Sequence, residues 1–195
     1  MRQTADVVII GGGVMGCSLL YHLAWLGVTN SLLLEQDVLG SGSTGRSQTI
    51  CRMHYSNPIT ATMAWQSLKV FANFGDMVGG DSGFVNTGYL VVVEPQDRPG
   101  LDRNIAMQQE LGINTRLVTA NHVKELAPMV QIYGDEGLAW EPESGYADSY
   151  QVTTSFAARA RDLGAEVAMR TTATGIETAA TPASTRGKYI FTVVP

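Results

Sequence analysis

The chain has 195 residues, 45% hydrophobic and 16% charged, which supports a sizeable core and excludes a disordered or fibrous chain. Its 18 acidic and 13 basic residues leave a net charge of −5 with no basic run, a balance that argues against nucleic-acid binding and against a polybasic membrane patch. Two cysteines, Cys17 and Cys51, make no disulfide framework and fit a reducing, cytoplasmic setting.

In chain order, Val7 to Ile10 reads as a short buried strand, Val14 to Leu26 as a helix and Ser31 to Leu34 as a second strand that stops on Glu35. Gly11, Gly13 and Gly16 stand at the G-x-G-x-x-G positions between strand and helix. Gly11 permits the tight turn, Gly13 lets the backbone approach a pyrophosphate, and Gly16 lets the helix pack on the strand. The helix start, from Gly12 through Val14 and Met15, offers backbone N–H groups to phosphate. The Glu35 carboxylate, with Gln36 beside it, is placed to accept hydrogen bonds from both ribose hydroxyls, a geometry that rejects a 2′-phosphate. Such a βαβ unit predicts dinucleotide binding and leaves NAD and FAD open. Met1 to Leu26 has the apolarity of a signal peptide, but Asp6, the glycines and His22 interrupt it.

Beyond the second strand lies GSGSTGRSQTICRMHYSNP, residues 40 to 58, and then an amphipathic stretch from Ile59 to Phe74. Gly75 to Gly83 is turn-rich, Gly88 to Val93 reads as a strand, Pro95 to Gly100 as a loop and Leu101 to Leu111 as a helix. Ala120 to Leu126 is a short helix stopped before Pro128, and Gly137 to Glu141 a strand. Thr153 to Leu163 is a helix closed by Gly164, which feeds the strand Glu166 to Arg170. Helix into buried strand resumes the opening rhythm. The expected organisation is therefore a discontinuous nucleotide domain, 1–80 and 145–195, interrupted by part of a substrate domain, 81–144. Gly175 to Thr178 and Lys188 to Val194 read as a hairpin joined by a polar link.

The segment from Gly40 to Pro58 resembles the FAD-dependent oxidoreductases of the D-amino-acid oxidase and glycine oxidase type, in the sarcosine oxidase β-subunit and dimethylglycine dehydrogenase-like branch. The resemblance continues through NTGYLVVV (86–93), VKELAPMV (123–130), GLAWEPESGYAD (137–148) and residues 156–171. It implies an α/β fold: a Rossmann-type FAD-binding domain with a parallel sheet, helices and a β-hairpin, interrupted by part of an α+β substrate domain. It also implies an N-terminal half, because such proteins are about twice as long and continue into a further parallel strand that the chain lacks.

By the same resemblance, the loop carrying Ser43 and Thr44, followed by Arg46, Ser47, Gln48 and Thr49, runs along the flavin, and Val167 meets the adenine. Arg52 is the candidate for the substrate carboxylate, which a guanidinium binds through two parallel hydrogen bonds. The plainer readings are an ion pair for Arg52, a helix cap for residues 46–49 and a core valine for Val167. His54 is a weaker candidate base, and His22 and His122 are ordinary helix and turn residues. No metal-ligand spacing is present. Dimethylglycine dehydrogenase-like enzymes carry an FAD-linking histidine where this chain has Thr44, Gly45 and Arg46, and the monomeric sarcosine oxidases tether FAD through a cysteine beyond the end of this chain, so the implied FAD is non-covalent. Heterotetrameric sarcosine oxidases carry an FMN-bearing histidine near Ala147 and Asp148, which this chain lacks. The implied chemistry is oxidation of the C–N bond of a small amino acid or N-methylated amine to an imine, with the flavin reduced and water releasing the products. Homo- and hetero-oligomers both remain open, as do an NAD-dependent dehydrogenase and a noncatalytic nucleotide-binding chain.

Overall fold

A computed structural model describes residues 3–179 and 188–194. In chain order the elements are β1 (Val7–Ile10), α1 (Val14–Trp25), β2 (Ser31–Leu34), a 3-10 turn (Thr44–Arg46), β3 (Ile50–Cys51), α2 (Pro58–Ala72), α3 (Phe74–Met77), β4 (Val85–Asn86) and β5 (Tyr89–Val93). A second 3-10 turn (Pro95–Asp97) leads into α4 (Arg98–Glu110), β6 (Arg116–Leu117), α5 (Ala120–Leu126), β7 (Gly137–Glu141) and β8 (Gly145–Tyr146). Then come α6 (Ser149–Asp162), β9 (Glu166–Ala168), β10 (Thr172–Ala179) and β11 (Lys188–Val194). The described residues form two compact units: residues 3–47, 78–82, 148–179 and 188–194, and residues 48–77 and 83–147.

The first unit is built on a parallel sheet in the order β1-β2-β9. Val8 lies opposite Leu32, and Leu33 opposite Val167. All four residues of β2 are buried, as expected of a central parallel strand covered on both faces. The ladder runs past β2, because the Glu35 N–H donates to the Ala168 carbonyl at 2.9 Å and the Thr171 N–H to the Glu35 carbonyl at 2.8 Å. Helices α1 and α6 pack together, with Tyr21 against Phe156 at a ring separation of 5.5 Å and with Cys17, Leu20, Ala24, Ala157 and Ala160 buried. The antiparallel pair β10–β11 forms the expected hairpin; the link between its strands lies outside the described residues.

The second unit holds two antiparallel sheets, β3-β8-β4 and β5-β7-β6. Met53, Ala61, Leu68 and Ile113 form one core cluster, with Trp65 and Phe84 packed on it. Leu101, Ile105 and Ala139 form a second, under Val91 and Val93.

Two sequence expectations change. Residues 48–77, assigned above to the nucleotide domain, belong to the second unit, because Met53, Ala61 and Leu68 share a core with Ile113 and β3 pairs with β8. Helices α4 and α6 each start earlier than their apolar spacing suggests. Pro99 in the first turn of α4 removes only an N–H that has no intrahelical partner anyway. Asp148 caps α6, its Oδ1 accepting from Tyr150 and Gln151 N–H at 2.8 and 2.9 Å.

Candidate functional site

In the first unit the β1–α1 turn is closed by geometry that only glycine supplies. Gly11 has φ +108°, in the region that disfavours a side chain. A Cβ on Gly16 would sit 2.0 Å from the Gly11 carbonyl oxygen, and one on Gly12 2.8 Å from Leu39. A Cβ on Gly13 would come within 3.0 Å of the Thr44 hydroxyl, which accepts the Val14 N–H at 3.0 Å. The Gly40–Thr44 loop is thereby tied to the start of α1, with the Gly40 N–H donating to the Gly12 carbonyl at 2.9 Å. The N–H groups of Gly13, Met15 and Gly16 have no carbonyl within the helix one turn back, and Met15 is largely exposed.

Glu35 is buried at the end of β2. Its Oε2 accepts the Gly12 N–H at 2.6 Å and its Oε1 the Asp37 N–H at 2.8 Å. A carboxylate has about four acceptor positions, so each oxygen keeps one for a ribose hydroxyl. The side chain thus also holds the glycine turn, a role that sequence spacing does not reveal. A glycine cradle with no room for side chains, helix-start N–H groups and a carboxylate with spare lone pairs fit the ADP half of a dinucleotide. Gln36, Ser43, Arg46 and Ser47 are exposed in the same unit, and Val167 is half-buried on β9.

Gln48, Thr49 and Arg52 fall in the second unit. Thr49 has φ +51°, a costly conformation for a β-branched residue and one found where function over-determines the backbone. The Arg52 guanidinium stacks over Tyr55 at 4.7 Å and Tyr89 at 5.7 Å from the ring centres, and its Nη1 donates to the His54 carbonyl. Among the described residues no carboxylate lies within ion-pair distance of Arg52, so the ion-pair reading finds no partner. A half-buried guanidinium fixed between two rings with its charge uncompensated is suited to an anionic ligand.

Sequence reasoning missed the residues around Arg52. Glu141, at the end of β7 and fully buried, accepts the Met53 N–H at 3.0 Å and the Ser144 hydroxyl at 2.8 Å. His54 Nδ1 lies 3.7 Å from Glu141 Oε1 and 3.4 Å from Gln108 Nε2, which does not leave that nitrogen free to act as a base. The only local signal for Glu141 was an acid closing an apolar strand. Burial pushes the Cys17 thiol up to about 12 and the Cys51 thiol to about 11, and both are unpaired. Among the described residues no cluster of metal-ligating side chains occurs, and no helix is long and apolar enough to cross a membrane.

Residues 6–194 match the family described as FAD dependent oxidoreductase. The chain is 31% identical over 168 residues to the mitochondrial pyruvate dehydrogenase phosphatase regulatory subunit of Mus musculus, covering 86% of this chain and 19% of that one. It is 29% identical over 182 residues to sarcosine oxidase subunit beta of an Arthrobacter species, covering 89% and 45%. Its fold matches the crystal structure of L-proline dehydrogenase from P. horikoshii with a TM-score of 0.84 and 29% identity, covering 91% of this chain and 47% of that one. The chain therefore spans about half of that structure and from a fifth to under half of these two relatives.

Proposed function

Because the chain belongs to the FAD-dependent oxidoreductase family, we propose that its first unit binds FAD non-covalently and that Arg52 holds the carboxylate of a small amino acid or N-methylated amino acid. The reaction is oxidation of the substrate C–N bond to an imine, for which bound FAD supplies the two-electron acceptor. Gly11 through Gly16, with Gly12, Gly13, Val14 and Met15 between them, cradle the pyrophosphate. Glu35 and Gln36 take the ribose, and Val167 the adenine. Ser43, Thr44, Arg46 and Ser47 of the first unit line the flavin side, and for Gln48 and Thr49 of the second unit a flavin contact is supported by the family resemblance alone. The observation that carries the substrate class is the Arg52 guanidinium, oriented by Tyr55 and Tyr89 and with no carboxylate at ion-pair distance among the described residues. Sarcosine oxidase subunit beta and L-proline dehydrogenase, by their names, act on secondary amino acids, which supports the same class.

The family match favours FAD over NAD. A subunit role in a homo- or hetero-oligomer is supported by the naming of one relative as a subunit and by the exposed Met15, Leu19 and Leu26 on and just beyond α1. A cytoplasmic location is supported by the two unpaired cysteines. The similarity to a regulatory subunit favours, as the second reading, a chain that binds the nucleotide without turning over substrate.

The absorbance spectrum of the purified, FAD-reconstituted chain tests these readings. A flavin spectrum whose chromophore is released on denaturation, and which bleaches anaerobically with N-methylglycine, is the expected result. No retained flavin overturns the proposal; retained flavin that no amino acid or amine bleaches moves the chain to the regulatory reading.

A further inference from the structure

A polar cluster behind Arg52 is left unexplained by cofactor and substrate binding, and its interpretation rests on Arg52 being the carboxylate site. Glu141 Oε2 is fully used, by the Met53 N–H and the Ser144 hydroxyl. Glu141 Oε1 is buried, has no hydrogen-bond partner among the described residues, and faces His54 Nδ1 at 3.7 Å, too far for a closed hydrogen bond. Gln108 Nε2 donates to the Tyr55 carbonyl at 3.2 Å, which orients the amide and aims its other N–H at His54 Nδ1. Nδ1 then carries a lone pair, and the ring keeps its proton on Nε2. The unmatched group is therefore Glu141 Oε1, which is buried and meets an acceptor nitrogen and no donor among the described residues. As an anion it is costly there, and a proton on it removes that cost while sharing the Nδ1 lone pair with the Gln108 N–H as a three-centre contact.

We propose that Glu141 is a neutral carboxylic acid whose Oε1–H is directed at His54 Nδ1, and that this uncharged pair is a positioning device for Arg52. The acid holds the Met53 backbone, and with it the segment whose His54 carbonyl accepts from Arg52 Nη1, without placing a second ionic charge near the guanidinium. Were Glu141 ionised, its charge would compete with a substrate carboxylate for Arg52. The titratable and charged groups around the pair are Arg52, Tyr55 and Cys51 on the neighbouring segment and Tyr89, which lies opposite Glu141 in the β5–β7 ladder. Among them Arg52 carries the fixed positive charge. Burial raises the Glu141 carboxyl above its ordinary value, while burial and the Arg52 charge hold the His54 imidazole below its own. Both directions agree with the proton count the geometry requires.

The test compares the chain with E141Q by infrared difference spectroscopy at neutral pH, with isotope-labelled histidine and arginine followed by NMR. The expected result is the carbonyl band of a protonated carboxylic acid, lost in E141Q, together with a neutral His54 protonated on Nε2. The glutamine amide can donate to Nδ1 while its oxygen accepts from Met53, so E141Q keeps the Arg52 Nε–H ordered, whereas E141A and H54L mobilise it. Absence of the band, or a His54 that titrates in its ordinary range, overturns the proposal, and both are read on the unmodified chain should E141A not fold. An Arg52 equally ordered in all variants overturns the positioning role. Titration with N-methylglycine separates the two readings: a band present with no shift at Arg52 sinks the carboxylate site and leaves the neutral pair standing.

Discussion

Replacing Glu35 with Gln preserves size while converting one carboxylate oxygen into a donor. Both oxygens accept backbone N–H groups, from Gly12 at 2.6 Å and Asp37 at 2.8 Å, and the residue is 8% exposed. Whichever way the new amide turns, one of its N–H groups meets another N–H. A hydrogen bond to a charged group contributes about 1.5–3 kcal/mol, and a buried donor left unmatched costs about 1–3 kcal/mol. The apoprotein should therefore lose roughly 2–3 kcal/mol, a large share of the 5–15 kcal/mol typical of a domain. FAD affinity should fall as well, by about tenfold or more, because the ribose loses a charged acceptor and the Gly12 turn loses its anchor. Urea unfolding of the apoprotein reads the first effect and a flavin-fluorescence titration the second. An unchanged urea midpoint would refute the claim that Glu35 holds the glycine turn. A lower midpoint with unchanged FAD affinity would place the ribose elsewhere.

Three further outcomes follow from the same geometry. Gly13→Ala puts a methyl 3.0 Å from the Thr44 hydroxyl; helical circular dichroism should persist while FAD affinity drops by about tenfold, or ~1.4 kcal/mol. If Thr44→Ala in the same chain restores that affinity, the methyl was obstructing Thr44 and not the pyrophosphate. Arg52→Ala should weaken N-methylglycine binding at least about tenfold, with Arg52→Lys recovering only part of it and an amine lacking the carboxylate affected less; equal losses for both ligands would assign Arg52 to the fold. For Glu141 the folded carboxyl is raised above its ordinary 4.5, so its stabilising share is present below that pH and lost as pH rises through the folded value. His54 is lowered from 6.5, so its share is present above that pH and lost as pH falls toward the folded value. E141Q removes only the first dependence, and its urea midpoint relative to the unmodified chain should climb as pH rises above 4.5 through the folded value; a flat difference contradicts a neutral Glu141.

The glycine turn and Glu35 were legible because their chemistry is packed into thirty consecutive residues, where strand, turn, helix and strand each leave a local pattern. The assignment of residues 48–77 was not, because α2 has an ordinary amphipathic pattern that says which face is buried and nothing about the partner; Ile113 decides that from far along the chain. The early start of α6 was available in principle, since Asp148 is a standard capping residue, but the apolar spacing begins only at Val152 and drew the boundary inward. Two-residue strands such as β3, β4 and β8 have no period to detect, and their existence depends on one another. The Glu141 contact to Met53 spans 88 residues, beyond any local signal.

The two buried carboxylates show why position at a strand end was insufficient to read function. Glu35 closes β2 and Glu141 closes β7, and each accepts an N–H from a residue beside a proposed ligand contact: Gly12 next to the phosphate turn, Met53 next to Arg52. What separates them is the second oxygen. Glu35 Oε1 meets a backbone donor, so both of its oxygens accept fixed N–H groups and each keeps a lone pair for a ribose hydroxyl. Glu141 Oε1 meets no donor among the described residues and faces an imidazole nitrogen whose lone pair the Gln108 N–H already engages, so a buried anion there is unsupported and the proposed arrangement adds a proton and removes the charge. A carboxyl whose oxygens both meet donors suits the site that accepts hydroxyls, and a neutral acid suits the site where a guanidinium must stay unpaired for an anionic ligand. The distinction lies in donor geometry contributed by Asp37 in one unit and by Gln108 in the other, which is why it appears only once the chain is folded.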